Sequence, residues 1–157
     1  AVCTSSSARS AHSRVSWSRG GVPFGYETYD RTHRWRFGGD AELEASAAPE
    51  YRGRAELPNP EEALVAALSS CHMLTFLAIA ARRRLVVESY EDDALGRMEK
   101  NEDGKLAVTQ VELHPRVIFS GEKRPTADEL AKLHEVAHRE CFIANSVKTR
   151  VTVVPAS

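Results

Sequence analysis

Two cysteines lie in segments whose residue types could support redox chemistry. Cys71 follows two serines and precedes His72, and Cys141 lies 70 residues further along the chain. A thiolate can attack an oxidant and a second thiol can resolve the product as a disulfide, if a nearby cation lowers the pKa of the first thiol. Alternatively, both residues are small core hydrophobes, because free cysteine is among the most buried residue types. The spacing alone leaves both interpretations open.

A second candidate for chemistry is a zinc site on a predicted helix. The segment 134–138 reads H-E-x-x-H, in which two histidines one turn apart can bind zinc and the glutamate can act as general base. Such a site needs a third protein ligand. Beyond His138 the chain offers Glu140 as its only carboxylate and Cys141 as a substitute, neither in the usual arrangement. We therefore favour the alternative, a solvent-facing side of a helix.

The residues that surround Cys71 predict a long helix over Asn59–Arg84. Asn59 can cap its first turn, Pro60 suits the first helical position, and Glu62 completes a capping-box spacing. The helix is apolar almost all round, so we expect it to be central in the fold. Apolar residues recur at steps of three and four and predict one buried face: Leu64, Ala67, Leu68, Cys71, Leu74, Thr75 and Ala78.

The remaining chain alternates between strand patterns and a second helix. A capping-box spacing between Thr126 and Glu129 predicts a helix that ends near Cys141, and Asp103-Gly104 predicts a hairpin. The order of elements predicts an α+β fold with antiparallel sheet and helices packed on it. We predict a loop over 40–58 and strands over these segments: 12–18, 27–29, 33–37, 86–100, 105–120 and 148–154. The long strand over 105–120 is expected to be broken near Pro115.

Composition excludes some classes of partner. The formal net charge is −1 with 27% charged residues, which indicates neither nucleic acid nor an anionic membrane as a partner. We expect no membrane span, because the apolar runs are interrupted by polar residues. The N-terminal residues do not resemble a secretory signal, and three cysteines do not form a disulfide framework, so we expect a cytoplasmic protein. We predict a flexible tail over 1–10, which contains Cys3, and a single domain over 11–157.

Two segments together resemble a known family. NPEEALVAALSSCHM at 59–73 and CFIANSV at 141–147, in this order and at this separation, resemble the OsmC/Ohr family of thiol peroxidases. YDRTHRWRF at 29–37 adds to the resemblance, which covers roughly 12–154. It implies an OsmC-like fold, with antiparallel sheets around a long central helix and a second helix, assembled as an intertwined homodimer. His72 after the cysteine is typical of an OsmC-like branch.

The resemblance also implies roles for individual residues. Cys71 matches the peroxidatic cysteine, Cys141 the resolving cysteine, and Glu61 the glutamate that holds an active-site arginine. Ten residues of helix span about 15 Å, so Glu61 would serve the cysteines of a partner subunit. The arginine comes from the region before the central helix. Arg31 is favoured, because it lies outside the alternating strand, but three others also qualify: Arg34, Arg36 and Arg52.

The implied activity is a two-cysteine peroxidase of oxidative stress defence. Organic hydroperoxides are the implied substrates, and the activity could extend to hydrogen peroxide. The implied reductant is an external dithiol of lipoyl type. The implied activity requires no metal and no organic cofactor. Apolar residues near the cysteines would favour organic peroxides: Leu68, Leu74, Phe76 and Phe142. The alternative is a non-catalytic, stress-induced or ligand-binding OsmC-like protein, with a zinc hydrolase as a more distant one.

Overall fold

The computed structural model of the protein describes residues 10–155. Cys3 and the rest of the predicted tail up to residue 9 lie outside the described residues. The order of strands and helices confirms the predicted α+β class. The elements are β1 Ser13–Ser16, β2 His33–Phe37, β3 Glu42–Ala45, α1 Pro60–Arg82, β4 Val86–Asp92, β5 Leu95–Lys100, β6 Leu106–Leu113, β7 Pro115–Ser120, α2 Ala127–Arg139 and β8 Arg150–Val153, with short 3-10 helices at Pro49–Tyr51 and Ala144–Ser146.

Contacts divide the chain into two compact units, one up to Ala63 and one from Leu64 onward. The boundary falls inside α1, one turn after it begins. The single domain over 11–157 stays a prediction, and we describe each unit by itself.

The first unit contains an antiparallel sheet in the order β1–β2–β3. The strand predicted over 27–29 is wrong, because Thr28 and Tyr29 both donate backbone hydrogen bonds to the carbonyl of Gly25 and form a turn. Strand β3 was missed within the predicted loop over 40–58. Its four residues alternate between glutamate and an apolar residue, but so short a stretch is a weak signal, and pairing with β2 is what makes it a strand.

Helix α1 begins where the capping box predicts. The side chain of Asn59 accepts a hydrogen bond from the backbone N–H of Glu62 at 2.9 Å, and the Glu62 carboxylate accepts one from the Asn59 N–H at 3.1 Å. These reciprocal bonds satisfy donors that a helix start leaves without partners. The helix ends at Arg82, two residues earlier than predicted, and Arg84 adopts a left-handed conformation with φ of 58°. The sequence therefore predicts this element almost to the residue.

The buried face of α1 differs from the predicted one. Leu68 is buried as expected, but Leu74 is 61% exposed. The described structure instead buries a line that includes a histidine: Leu68, His72, Phe76, Ile79 and Ala80. A helix that is apolar on nearly every side leaves several rotations equally favourable by periodicity. The partners of α1 decide which rotation is adopted.

The second unit divides the two long predicted strands. The span 86–100 forms β4 and β5, so the single strand predicted there is wrong in extent. The span 105–120 forms β6 and β7, and the break predicted near Pro115 is confirmed. Strand β4 pairs with β7 in one sheet, whereas β5 pairs with β6 in another. His114, which separates β6 from β7, precedes Pro115, and a residue before proline is restricted in its backbone conformation. The change of sheet occurs at this position.

The second sheet of this unit has the order β5–β6–β8. The hairpin between β5 and β6 is confirmed: Gly104 takes a φ of 75°, and the side chain of Asn101 accepts hydrogen bonds from the backbone of Asp103 and Lys105. Strand β8 pairs with β6 in parallel, where an antiparallel arrangement was expected. Helix α2 precedes β8 and makes the crossover that parallel neighbours require.

Helix α2 has the predicted capping box between Thr126 and Glu129, with both reciprocal bonds present. It packs against α1 and the β4–β7 sheet through a buried cluster. Its members are Phe76, Ile79, Ala80, Leu85, Phe119, Leu133 and Ala137. A smaller cluster joins Leu68 to Val111 and Leu113 of β6.

Helix α1 could cross a membrane by length and composition alone. It has 23 residues, and its most apolar stretch reaches a mean hydropathy of 1.9. The expectation that no apolar run is long enough is therefore wrong on this criterion, because the charged residues lie only at the two ends of the helix. The core helix of a globular protein passes the same test, and α1 contributes three residues to the buried cluster that it shares with α2.

Candidate functional site

The structure brings the two predicted cysteines together within the second unit. Cys71 lies in the middle of α1 and is partly buried, whereas Cys141 follows the end of α2 and is only 1% exposed. Both are free thiols, and their side chains share a hydrogen bond. Burial and this bond raise the pKa of the Cys141 thiol to about 11. Cys141 is therefore a protonated thiol at neutral pH, held against Cys71.

Local hydrogen bonds hold Cys141 at the end of α2. Its sulfur accepts a bond from the backbone N–H of Ala144 at 3.4 Å, and its own N–H donates to the carbonyl of His138 at 3.2 Å. The side-chain amide of Asn145 donates to the carbonyls of Cys141 and Arg139, both at 2.9 Å. These contacts fix the turn that presents the thiol. Two thiols so arranged can form a disulfide with the loss of two electrons and two protons.

The predicted apolar lining divides into two kinds of residue. Leu68 and Phe76 are fully buried members of the two core clusters, so they support the helix instead of offering a surface to a ligand. Leu74 and Phe142 are 61% and 71% exposed. Only these last two present apolar surface to solvent.

Arg31 lies in the first unit and is 8% exposed. Its guanidinium donates to the carbonyls of Tyr29 and Tyr26, both at 2.6 Å, and lies 3.7 Å from the centroid of the Tyr29 ring. Its Nε has no hydrogen-bond partner within residues 10–155. Cation–π contact and carbonyl dipoles thus hold a buried charge.

The other candidate arginines have a different environment. Arg34 and Arg36 lie on β2 and pair with carboxylates of β3, and Arg52 pairs with Glu27. All three side chains are more than half exposed. Among the four candidates, Arg31 has the environment of a buried functional group.

Glu61 lines the same cavity as Arg31. It lies in the first turn of α1, where a carboxylate suits the helix dipole. The cavity has a volume of about 520 Å³, and its walls are mostly aromatic and apolar. Across the part of the chain that the structure describes, no carboxylate lies within ion-pair distance of Arg31. The bidentate contact between Glu61 and Arg31 stays a prediction for the assembled dimer. The residues named here line the cavity: Val15, Trp17, Phe24, Tyr29, Arg31, His33, Tyr51 and Glu61.

The two histidines of the H-E-x-x-H segment were predicted to face solvent, but the structure buries them at least in part. His134 is 3% exposed, and its Nδ1 lies 3.1 Å from Nε2 of His72 on α1. His138 has a buried Nδ1 without a partner in residues 10–155. In the same residues no three His, Cys, Asp or Glu side chains form a group that could hold a metal ion.

His72 was missed as a partner of this segment. It is 1% exposed, and burial, with the neighbouring His134 and His138, lowers its pKa to about 4; burial also lowers the pKa of His134 to about 4. The signal that could have found the pair is a polar residue at a helical step from Leu68 and Phe76, inside the apolar line of α1. A buried histidine needs a partner, and α2 carries the available imidazole.

Comparisons with known proteins agree with the α+β fold described above. The family model described as OsmC-like protein matches residues 53–155. A solved OsmC-like protein of unknown function from Vibrio cholerae O1 biovar eltor strain N16961 is 45% identical, with a TM-score of 0.92 over 95% of this chain and 100% of that one. No curated protein matches the chain at a significant level.

More distant structures share the fold. An organic hydroperoxide resistance protein from Elizabethkingia anophelis is 18% identical, with a TM-score of 0.73 over 98% of this chain and 99% of that one. The organic hydroperoxide resistance protein OhrB of Bacillus subtilis is 16% identical, with a TM-score of 0.67 over 94% of this chain and 98% of that one. At such identities the similarity concerns the fold alone.

Proposed function

The chain belongs to the OsmC-like protein family, and on this premise we propose that it is a thiol-dependent peroxidase that reduces organic hydroperoxides. The observation that carries the proposal is the contact between the Cys71 and Cys141 thiols. We further propose that the protein acts as a cytoplasmic homodimer in oxidative stress defence. These statements go beyond what family membership establishes, because the relative of highest identity above is a protein of unknown function.

The first step in the proposed cycle is attack by Cys71. Its thiolate bonds to the distal oxygen of the hydroperoxide, the O–O bond breaks, and the alcohol leaves with a proton, so that Cys71 becomes a sulfenic acid. Cys141 is unsuited to this step, because its raised pKa of about 11 keeps it protonated. The partly exposed Cys71 is the thiol that solvent and substrate can reach.

The second step resolves the sulfenic acid. The Cys141 sulfur attacks the Cys71 sulfur, the S–O bond breaks, and hydroxide leaves as water with the proton of the Cys141 thiol. An external dithiol, which could be of lipoyl type, then reduces the disulfide and returns both thiols. The hydrogen bond between the two side chains supports this step, since it places the resolving thiol beside Cys71.

Arg31 and Glu61 are proposed to act on a partner subunit's cysteines. The ten residues between Glu61 and Cys71 correspond to a rise of about 15 Å along α1, so a single chain cannot use its own Glu61 at Cys71. In the proposed dimer Arg31 lowers the pKa of the peroxidatic thiol and orients the peroxide. Glu61 holds Arg31 in place.

Rapid mixing of the reduced protein with cumene hydroperoxide tests the proposal. We expect fast loss of two thiols and a product mass that corresponds to a Cys71–Cys141 disulfide. A reaction with tert-butyl hydroperoxide and hydrogen peroxide in parallel would measure the preference for organic substrates. If the thiols are oxidised no faster than free cysteine, the peroxidase proposal is wrong.

The cavity of the first unit favours a second candidate, a non-catalytic ligand-binding protein. A volume of about 520 Å³ with aromatic walls is within the range of small-molecule sites. In that case the cysteines would be buried hydrophobes. Slow oxidation of Cys71, together with saturable quenching of Trp17 fluorescence by an aromatic ligand such as an anilinonaphthalene sulfonate, would support this candidate.

A further inference from the structure

Two buried histidines join α1 to α2 in the second unit. Nε2 of His72 lies 3.1 Å from Nδ1 of His134, and the two rings are nearly coplanar, at 6°. Phe76, one turn along α1, stacks on the His134 ring with centroids 4.5 Å apart. The contact therefore fixes both the distance between the helices at this level and the orientation of the second imidazole.

At neutral pH both rings in this contact are uncharged. Burial keeps both imidazoles from being protonated, so one ring donates its N–H and the other accepts. A hydrogen bond of this kind is directional, whereas apolar packing is not. Helix α1 is apolar on nearly every side, so packing alone defines its rotation and axial position weakly. Buried polar pairs can define such a register.

A second polar contact holds α1 three residues earlier. The hydroxyl of Ser69 donates to one carboxylate oxygen of Asp92 at the end of β4, at 2.5 Å. The other oxygen of Asp92 accepts the backbone N–H of His114, which lies between β6 and β7, at 2.6 Å. Asp92 thus anchors α1 to the point where the chain passes from one sheet to the other.

The two contacts lie on either side of Cys71. Ser69 precedes it by two residues and His72 follows it directly. On α2, His134 lies one turn before His138, whose carbonyl accepts the backbone N–H of Cys141. The same two contacts that hold α1 therefore determine where the Cys71 thiol lies relative to the Cys141 thiol.

We propose that the His72–His134 and Ser69–Asp92 contacts are positioning contacts of the cysteine pair, and that they bring the two sulfurs within bonding reach. The inference rests on the proposed peroxidase function. In the resolving step the S–S bond forms as the S–O bond of the Cys71 sulfenic acid breaks, and the Cys141 proton leaves with the hydroxide as water. A displacement of about 1 Å in such a step can cost on the order of 100-fold in rate.

The test compares disulfide formation in variants that keep the fold. Replacing both imidazoles in His72→Leu/His134→Leu removes the directional bond without leaving one buried polar partner unpaired. Ser69→Ala removes the other contact. Leu133→Ala is the matched control, because it weakens the same α1–α2 cluster but touches neither polar contact. For each protein the melting temperature and the rate of the Cys71–Cys141 disulfide are measured, with cumene hydroperoxide and with diamide as oxidants.

We expect the double variant to form the disulfide about tenfold to 100-fold more slowly than wild type, and Ser69→Ala to be slowed by a smaller factor. Leu133→Ala should melt earlier but form the disulfide at nearly the wild-type rate. Oxidation of Cys71 to the sulfenic acid should stay within about twofold in all variants. Rescue of the rate in His72→Asn, which keeps a donor and an acceptor, would support positioning by a hydrogen bond.

Two results would overturn the inference: a wild-type rate in the double variant, or a slowing in all variants, including Leu133→Ala, in proportion to lost stability. Failure of the peroxidase function looks different. In that case wild type itself would not react with cumene hydroperoxide, while the diamide rates would still decide whether the contacts position the thiols.

Discussion

The buried thiol of Cys141 shares a hydrogen bond with the thiol of Cys71, across a sequence separation of 70 residues. Burial and this bond raise the pKa of Cys141 to about 11, whereas Cys71 remains partly open to solvent. The pair is therefore asymmetric before any oxidant arrives. In the proposed cycle, that asymmetry favours Cys71 for the first attack.

Removing each cysteine should have a different effect. Cys71→Ser should abolish turnover, because Cys141, the other thiol within residues 10–155, is buried and protonated. Cys141→Ser should leave the first oxidation intact and trap the Cys71 sulfenic acid, which dimedone labelling and mass spectrometry would detect. Cys3→Ser is the matched control and should cycle as wild type does. Normal cycling of Cys141→Ser with a dithiol would contradict the resolving role.

Replacing Arg31 should slow the oxidation of Cys71 to the sulfenic acid without changing the rate at which Cys141 resolves it. Arg31→Met removes the buried charge, and we expect the second-order rate constant for cumene hydroperoxide to fall on the order of 100-fold. Arg31→Lys should recover part of the rate, since it keeps the charge but loses the planar contacts. Arg34→Met, at an exposed position on β2, serves as control. An equal fall in the rate constant for Arg31→Met and Arg34→Met would show that the loss of one positive charge matters, whatever its position in the structure.

Acid should destabilise the protein through the histidine pair. Burial lowers the pKa of His72 and His134 from 6.5 to about 4, with His138 adding to the effect at His72 and Asp92 opposing it at His134. The unfolded chain therefore binds more protons between pH 6.5 and 4. The stability that the neutral pair contributes is present above pH 6.5 and is lost as the pH falls towards 4.

Urea titrations at several pH values would measure this loss. We expect the free energy of unfolding to decrease by roughly 2 kcal/mol for each of the two histidines between pH 7 and pH 4.5, in excess of the change in a control. The control is the His72→Leu/His134→Leu variant, which lacks both titrating groups. Parallel pH profiles for the two proteins would contradict the assignment.

Gly53 should not tolerate a side chain. A Cβ at this position would lie 1.6 Å from the backbone oxygen of Ala47, so the backbone would have to move. We expect Gly53→Ala to lower the free energy of unfolding by roughly 3 kcal/mol. At Gly38 a Cβ would meet nothing within 4 Å, and Gly38→Ala should change stability by no more than about 0.5 kcal/mol. Thermal melting of both variants provides the comparison.

The sequence by itself determined the elements whose signals are local. The starts of α1 and α2 follow from capping boxes, and the β5–β6 hairpin follows from Asp103-Gly104, because these contacts join residues at most four positions apart. The two cysteine segments indicated the family, which the comparisons confirm. The choice of Arg31 as the active-site arginine, made from its position outside the strand, stays a prediction.

Only the tertiary structure decided which elements meet. It rotated α1 so that His72 is buried and Leu74 is exposed, and it placed His134 against a residue 62 positions away. It also divided each long predicted strand between two sheets and paired β8 in parallel with β6. A periodic pattern specifies that a face is apolar but not what covers it. That choice depends on partners distant in sequence, and here these include the imidazole of His134, which lies against His72.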